Sequence, residues 1–124
     1  MLRVTMILEV IFLIKELAQE FMEAPRIIPL ENHMILAYDY ESETGEYFWK
    51  GILFHEVIAW RHIKESEITE YVVGSYNSIS IVKDSIWKKE CDAKSTSKHY
   101  LIFFDGYGTY EFLAQDVTTD MNVD

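Results

Sequence analysis

The chain has 124 residues, with 21 acidic side chains against 11 basic ones and a formal net charge of −10, yet 49% of its residues are hydrophobic and 15% aromatic. Acidic disordered segments lack the apolar residues needed to order themselves, so this composition excludes a solvated tail and predicts a folded domain with an acidic exterior. Such an exterior disfavours nucleic acid and anionic membrane as partners and favours basic proteins.

The length predicts one domain over residues 1–124. The lone Cys91 excludes an internal disulfide and leans towards a cytoplasmic location. Met1 to Ile14 is apolar apart from Arg3, Thr5 and Glu9. Glu9 interrupts the run and no small-residue cleavage pattern follows, so it does not read as a signal peptide. It is also shorter than the roughly 20 residues that span a bilayer.

Taken in chain order, residues 4–23 show helical spacing. Val4, Ile7, Leu8, Ile11, Phe12, Leu17 and Phe21 form one stripe, with Glu16, Gln19, Glu20 and Glu23 mostly opposite. A helix is predicted there, ending before Pro25, with a strand over residues 4–14 as the competing reading. Residues 34–41 and 46–56 alternate as strands about Ser42-Glu43-Thr44-Gly45, a hairpin turn in which Gly45 takes the left-handed conformation. That turn predicts Tyr40 opposite Phe48, Leu36 opposite Ile52, Asp39 opposite Trp49 and Ile35 opposite Leu53. The second strand is expected to continue through Val57 to Arg61. Further strands are expected at 68–73 and 79–82, and a mobile loop at 88–98. Tyr100–Phe104 and Thr109–Gln115 form a last hairpin about Asp105-Gly106-Tyr107-Gly108, pairing Phe103 with Tyr110, Leu101 with Phe112 and Ile102 with Glu111. Residues 116–124 read as a frayed acidic tail. The fold class this predicts is α+β: an antiparallel, meander-like sheet of five or six strands with the N-terminal helix packed on it.

No catalytic motif survives inspection, so no enzyme activity is expected, and no cofactor. His55-Glu56-Val57-Ile58-Ala59 lacks the second histidine of a zinc-protease helix, and the four histidines share no ligand spacing, so no metal site is expected. Lys83, Lys88, Lys89, Lys94 and Lys98 form a modest basic cluster, diluted by Asp84, Glu90 and Asp92. The overall charge makes phosphate binding there the lesser reading. Glu111, between Tyr110 and Phe112, is a candidate buried carboxylate whose pKa rises unless Arg or Lys pairs with it.

Residues 1–70 hold 13 of the acids against 6 bases. The candidate partner-binding residues are therefore Asp39, Glu41, Glu43, Glu46, Trp49, Glu67 and Glu70, with aromatic side chains as anchors among the acids.

The stretch from His99 to Ala114, with Ser75-Tyr76-Asn77-Ser78 and Asp84-Ser85-Ile86-Trp87 before it, resembles the closing part of small acidic uncharacterised bacterial proteins of immunity-protein type. The resemblance covers mainly residues 47–115. It implies a protein-binding module that inhibits a toxin with a basic surface, and it carries over no catalytic residues. The alternative is a small enzyme or ligand-binding domain with an aromatic-lined pocket between helix and sheet. Homodimerisation is a third reading, which apolar edge strands would favour.

Overall fold

In the computed structural model, which describes residues 7–13, 23–67, 78–91, 96–104 and 106–123, most of the described residues are strand. The strands are β1 (Ile7–Leu13), β2 (Arg26–Leu30), β3 (His33–Glu41), β4 (Tyr47–His55), β5 (Ala59–Ile63), β6 (Ser78–Lys83), β7 (Lys98–Phe104), β8 (Gly108–Ala114) and β9 (Asp116–Val123). Helix among the described residues is limited to a 3-10 turn, Glu65–Glu67, and one short helix, α1 (Ile86–Glu90). The strands form a five-stranded sheet ordered β1-β6-β7-β8-β5 and a four-stranded sheet ordered β2-β3-β4-β9. Every pairing is antiparallel.

This overturns the α+β expectation. Among the described residues no N-terminal helix packs on a sheet, and two sheets replace the single meander of five or six strands. Residues 7–13 form the edge strand β1 against β6. β-branched Val10 and Ile11 are stiff at χ1 and suit a pleated surface. Pairing with β6 settles a segment whose apolar spacing fits either period. Residues 4–6 and 14–22 of the predicted helix lie outside the described residues.

The core fills the space between the sheets. Leu36, Tyr38, Ile52 and Phe54 of the four-stranded sheet meet Ile79, Tyr100, Ile102, Phe104, Tyr110, Phe112 and Ala114 of the five-stranded one. Phe54 stacks on Phe112 at 4.0 Å between ring centroids and lies 5.6 Å from Tyr100. Tyr38 approaches Phe104 at 6.1 Å. Phe54 stands opposite Met34, four residues before Tyr38 on β3, and Tyr100 stands four residues before Phe104 on β7. Equal offsets mean that β3 and β7 run in the same direction, as in an aligned sandwich. Fully burying a side chain of this size stabilises by roughly 1.5–3 kcal/mol, so this layer dominates the favourable side of folding.

The β3–β4 hairpin has the register its turn predicts: Tyr40 opposite Phe48, Asp39 opposite Trp49, Leu36 opposite Ile52. Gly45 sits at φ 84 and closes it, its N–H donating to the Ser42 carbonyl. The second strand does not run on through Val57. β4 ends at His55, Glu56 turns at φ 52, and β5 joins the other sheet beside β8. The Val57 N–H bonds to Asn32 and the Ile58 N–H to Leu113, so these two residues carry the chain from one sheet to the other.

The β7–β8 hairpin is one residue out from its expected register. Ile102 pairs with Tyr110, Leu101 with Glu111 and Tyr100 with Phe112. Gly108 is a strand residue opposite Phe104 rather than part of the turn. The cause is a long-range contact: a Cβ on Gly108 would lie 2.0 Å from the Ile63 carbonyl oxygen and 2.8 Å from the Glu65 nitrogen. The 63–65 backbone presses on this residue, and only glycine fits. A one-residue slip exchanges faces. Phe112 thus points into the core and Phe103 to the outer face, rather than sharing one face.

Two further segments differ from expectation. The 88–98 loop begins as α1, which Ser85 caps by accepting the Lys88 N–H at 3.0 Å, and residue 98 opens β7. Residues 116–123 are strand β9, not a frayed tail: Val117, Thr119, Met121 and Val123 are half-buried and their neighbours exposed. The edge of β4 supplies the ladder that this weakly apolar segment lacks by itself.

Candidate functional site

Two regions outside the core gather charge. The first is the end of the sandwich that carries the β3–β4 turn. Tyr38 beside Phe104 sets this turn over the same end as the β7–β8 loop. Gly108 against residues 63–65 brings the 65–67 turn there too. Glu41, Glu43, Glu46, Glu65 and Glu67 are all exposed at that end. Among the described residues none of these carboxylates is in an ion pair. Tyr47 and Phe48, 44% and 43% exposed, flank the turn.

Of the sequence-predicted site residues, Glu41, Glu43, Glu46 and Glu67 thus share one end of the molecule. Asp39 does not join them: it is buried, and its Oδ2 accepts the Glu23 N–H at 3.0 Å. Trp49 is half-buried beneath the Arg26 guanidinium, 4.3 Å from its ring centroid. Glu70 lies outside the described residues. Glu65 belongs to the acidic segment 65–70 that the charge distribution marks, and it joins Glu67 at this end.

The second region is the outer face of the five-stranded sheet, where Glu111 is 1% exposed. Arg61, directly opposite on β5, donates from Nε to Oε2 and from Nη2 to Oε1, both at 3.0 Å. His99 on β7 reaches Oε1 through Nε2 at 2.7 Å. An ionised carboxylate only accepts, so Nε2 donates. Its Nδ1 lies 2.6 Å from the Ser85 hydroxyl, on the other side of the ring. Trp87 covers the group, its ring 4.3 Å from the Arg61 guanidinium and edge-on to His99. Burial pushes the Glu111 carboxyl up, but hydrogen bonds from His99 and Arg61, with their charges, outweigh it and hold the carboxyl below its ordinary value.

Serine, imidazole and carboxylate stand here in the order of a hydrolase triad. Their other contacts commit them elsewhere. The Ser85 Oγ caps α1, the residue is 7% exposed, and Glu111 is neutralised by a two-pronged arginine. The arrangement ties α1, β5, β7 and β8 together. Sequence reasoning missed Arg61, His99 and Ser85 because the expected register put Glu111 and His99 on opposite faces.

The other histidines are also occupied. His62 bonds to the Tyr107 carbonyl and stacks on Tyr110, His55 bonds to Thr118, and His33 accepts the Glu56 N–H. No group of three metal-binding side chains occurs among the described residues. Among the same residues, no helix is long and apolar enough to cross a membrane.

Beside Ser85 and His99 opens a surface pocket of about 570 Å³, lined by Lys83, Lys88, Lys89 and Lys98 with Ser97, Asp84 and the backbone turn after β6. Its walls come from the end of β6, α1 and the start of β7. It is not the aromatic-lined pocket between helix and sheet that the ligand-binding reading expected. Aromatic side chains fill the space between the layers instead.

No family model matches the chain, and neither the curated proteins nor the solved structures contain a match.

Proposed function

We propose that this protein is a binding module that takes a basic protein at its acidic end, most concretely an immunity-type inhibitor of a bacterial toxin. The observation that carries the reading is the gathering of Glu41, Glu43, Glu46, Glu65 and Glu67, at the strand ends and turns of two different sheets, at one end without cationic partners among the described residues. Carboxylates so placed repel one another and favour a cationic surface. They sit on a rigid, aromatic core, so little ordering opposes binding. Tyr47 and Phe48 beside them supply the large, exposed rings that anchor many interfaces. A toxin that acts on nucleic acid carries a basic cleft of complementary charge, which this end can occupy while steering speeds the encounter.

The test recovers a partner on immobilised protein at low salt and measures its association kinetics. Glu41→Gln, Glu43→Gln and Glu46→Gln together should slow association about tenfold or more at low ionic strength, with a smaller change in the off-rate. Raising salt should slow the unaltered protein in the same way, since screening shortens the reach of charge to about 8 Å at physiological ionic strength. An on-rate indifferent to both changes would refute the acidic end as the binding surface.

A further inference from the structure

Within a chain of net charge −10, four of the 11 basic residues line one pocket. Lys83 ends β6, Lys88 and Lys89 belong to α1, and Lys98 opens β7, so the fold converges them from three elements. Only Lys83 has an ion-pair partner among the described residues, Glu9 on β1. Asp84 is the one acidic residue in the lining, held at φ 51 in the turn after β6. Like charges brought together this way oppose folding unless an anion completes the site.

A second, independent feature points the same way. Ser97 lines the pocket, is 1% exposed, and its Oγ has no hydrogen-bond partner. A buried hydroxyl left unpaired is costly, and an acceptor-rich ligand would relieve that cost. The floor is rigid, because Ser85 and His99 in the same lining are held by the Glu111 network. We propose that this pocket binds a small phosphate-bearing anion. Lysines serve phosphate as compact point charges, whereas recognition of a single carboxylate favours the planar fork of arginine. The volume of about 570 Å³ suits a molecule the size of a sugar phosphate or nucleotide rather than a bare ion. The site is concave and local, and the surrounding acidity disfavours a long nucleic-acid backbone. This ligand is separate from the basic protein proposed for the acidic end. The β3–β4 turn lies at the Phe104 end of β7, and the pocket at its Lys98 end.

Amide NMR with inorganic pyrophosphate as the probe, at about 150 mM salt, tests the proposal. Saturable shifts are expected at the amides of Ser85, Lys88, Lys89, Ser97, Lys98 and His99, and not at the β3–β4 turn. Lys88→Gln and Lys98→Gln should each raise Kd about 5- to 10-fold, and Lys64→Gln, an exposed lysine far from the pocket, should leave it unchanged. Ser97→Ala should weaken binding severalfold without lowering the melting temperature. Shifts that fail to saturate, that appear equally with sodium sulfate at matched ionic strength, or that respond equally to Lys64→Gln would overturn it. Tighter binding of a single-stranded oligonucleotide than of pyrophosphate, lost on the same lysine changes, would overturn it in favour of a nucleic-acid site.

Discussion

Arg61 on the edge strand β5 and Glu111 on the neighbouring strand β8 stand directly opposite one another and are joined by two hydrogen bonds of 3.0 Å. The pair is asymmetric: the Glu111 side chain is 1% exposed and the Arg61 side chain 36%. A nearly dry carboxylate is therefore satisfied from the rim of the sheet by a cation that keeps contact with water. His99 supplies the third strong bond, from within.

Glu111→Gln keeps the shape and removes the charge. It should cost about 2–4 kcal/mol at neutral pH, somewhat less than breaking a fully buried pair, because Arg61 can turn to solvent. Because its folded-state pKa lies below the ordinary value of 4.5, Glu111 contributes stability that is present above that value and is lost as pH falls through the folded value. Urea unfolding should therefore show the gap between wild type and variant narrowing below the ordinary carboxylate range. A gap that is constant down to strongly acid pH would show that Glu111 is not held ionised by its partners.

Phe112 and Phe103 lie on opposite faces of the same hairpin, and their truncation should separate accordingly. Phe112→Ala removes a fully buried ring stacked between Phe54 and Trp60 and should cost about 3–5 kcal/mol. Phe103, half-buried against Leu101 and Val82 on the outer face, should cost about 1–2 kcal/mol. Equal losses in denaturant titrations would argue for the alternative register.

The two glycines of the last hairpin differ in the same testable way. Gly106, at φ 83, has open space where a Cβ would sit, so Gly106→Ala should cost about 1 kcal/mol of backbone strain. Gly108, at φ 104, is pressed by the 63–65 backbone, and Gly108→Ala should add the cost of overpacking for a total of about 3 kcal/mol or more. Thermal melts of both variants would decide it, and similar midpoints would remove the close approach as the cause of the register.

Strand β9 pairs along β4 from His55 to Trp49, with one irregularity between Gly51 and Leu53. Hydrogen exchange should find protected amides within residues 117–123, on the side facing β4, and Lys50→Ala should weaken that protection by removing the ion pair to Asp120. Complete exchange of the whole segment at the earliest time point would show that the strand is not a stable part of the fold.

What local chemistry can fix was legible in the order of residues. The acid excess over a large apolar fraction implied a folded core under an acidic surface. The turn from Ser42 to Gly45 set the register of β3 on β4 pair by pair, because a short loop with a left-handed glycine leaves one way to align its strands. The clustering of glutamates in that turn was legible for the same reason, although the burial of Asp39 was not, since that depends on the Glu23 backbone reaching it.

Everything that rested on distant partners was decided by tertiary structure. Residues 7–13 carry spacing for a helix and side chains for a strand, and β6 chose between them. The backbone at 63–65 pulled Gly108 into β8, shifted the hairpin by one residue, and so brought Glu111 onto the face of His99 and Arg61. The lysines at 83, 88, 89 and 98 read as a diluted surface run until a strand end, a short helix and a strand start folded them around one pocket. Pairing across a sheet has no signature in a single stretch of chain. A period of two residues makes one step of register exchange every face, and only contacts made from elsewhere can pin it.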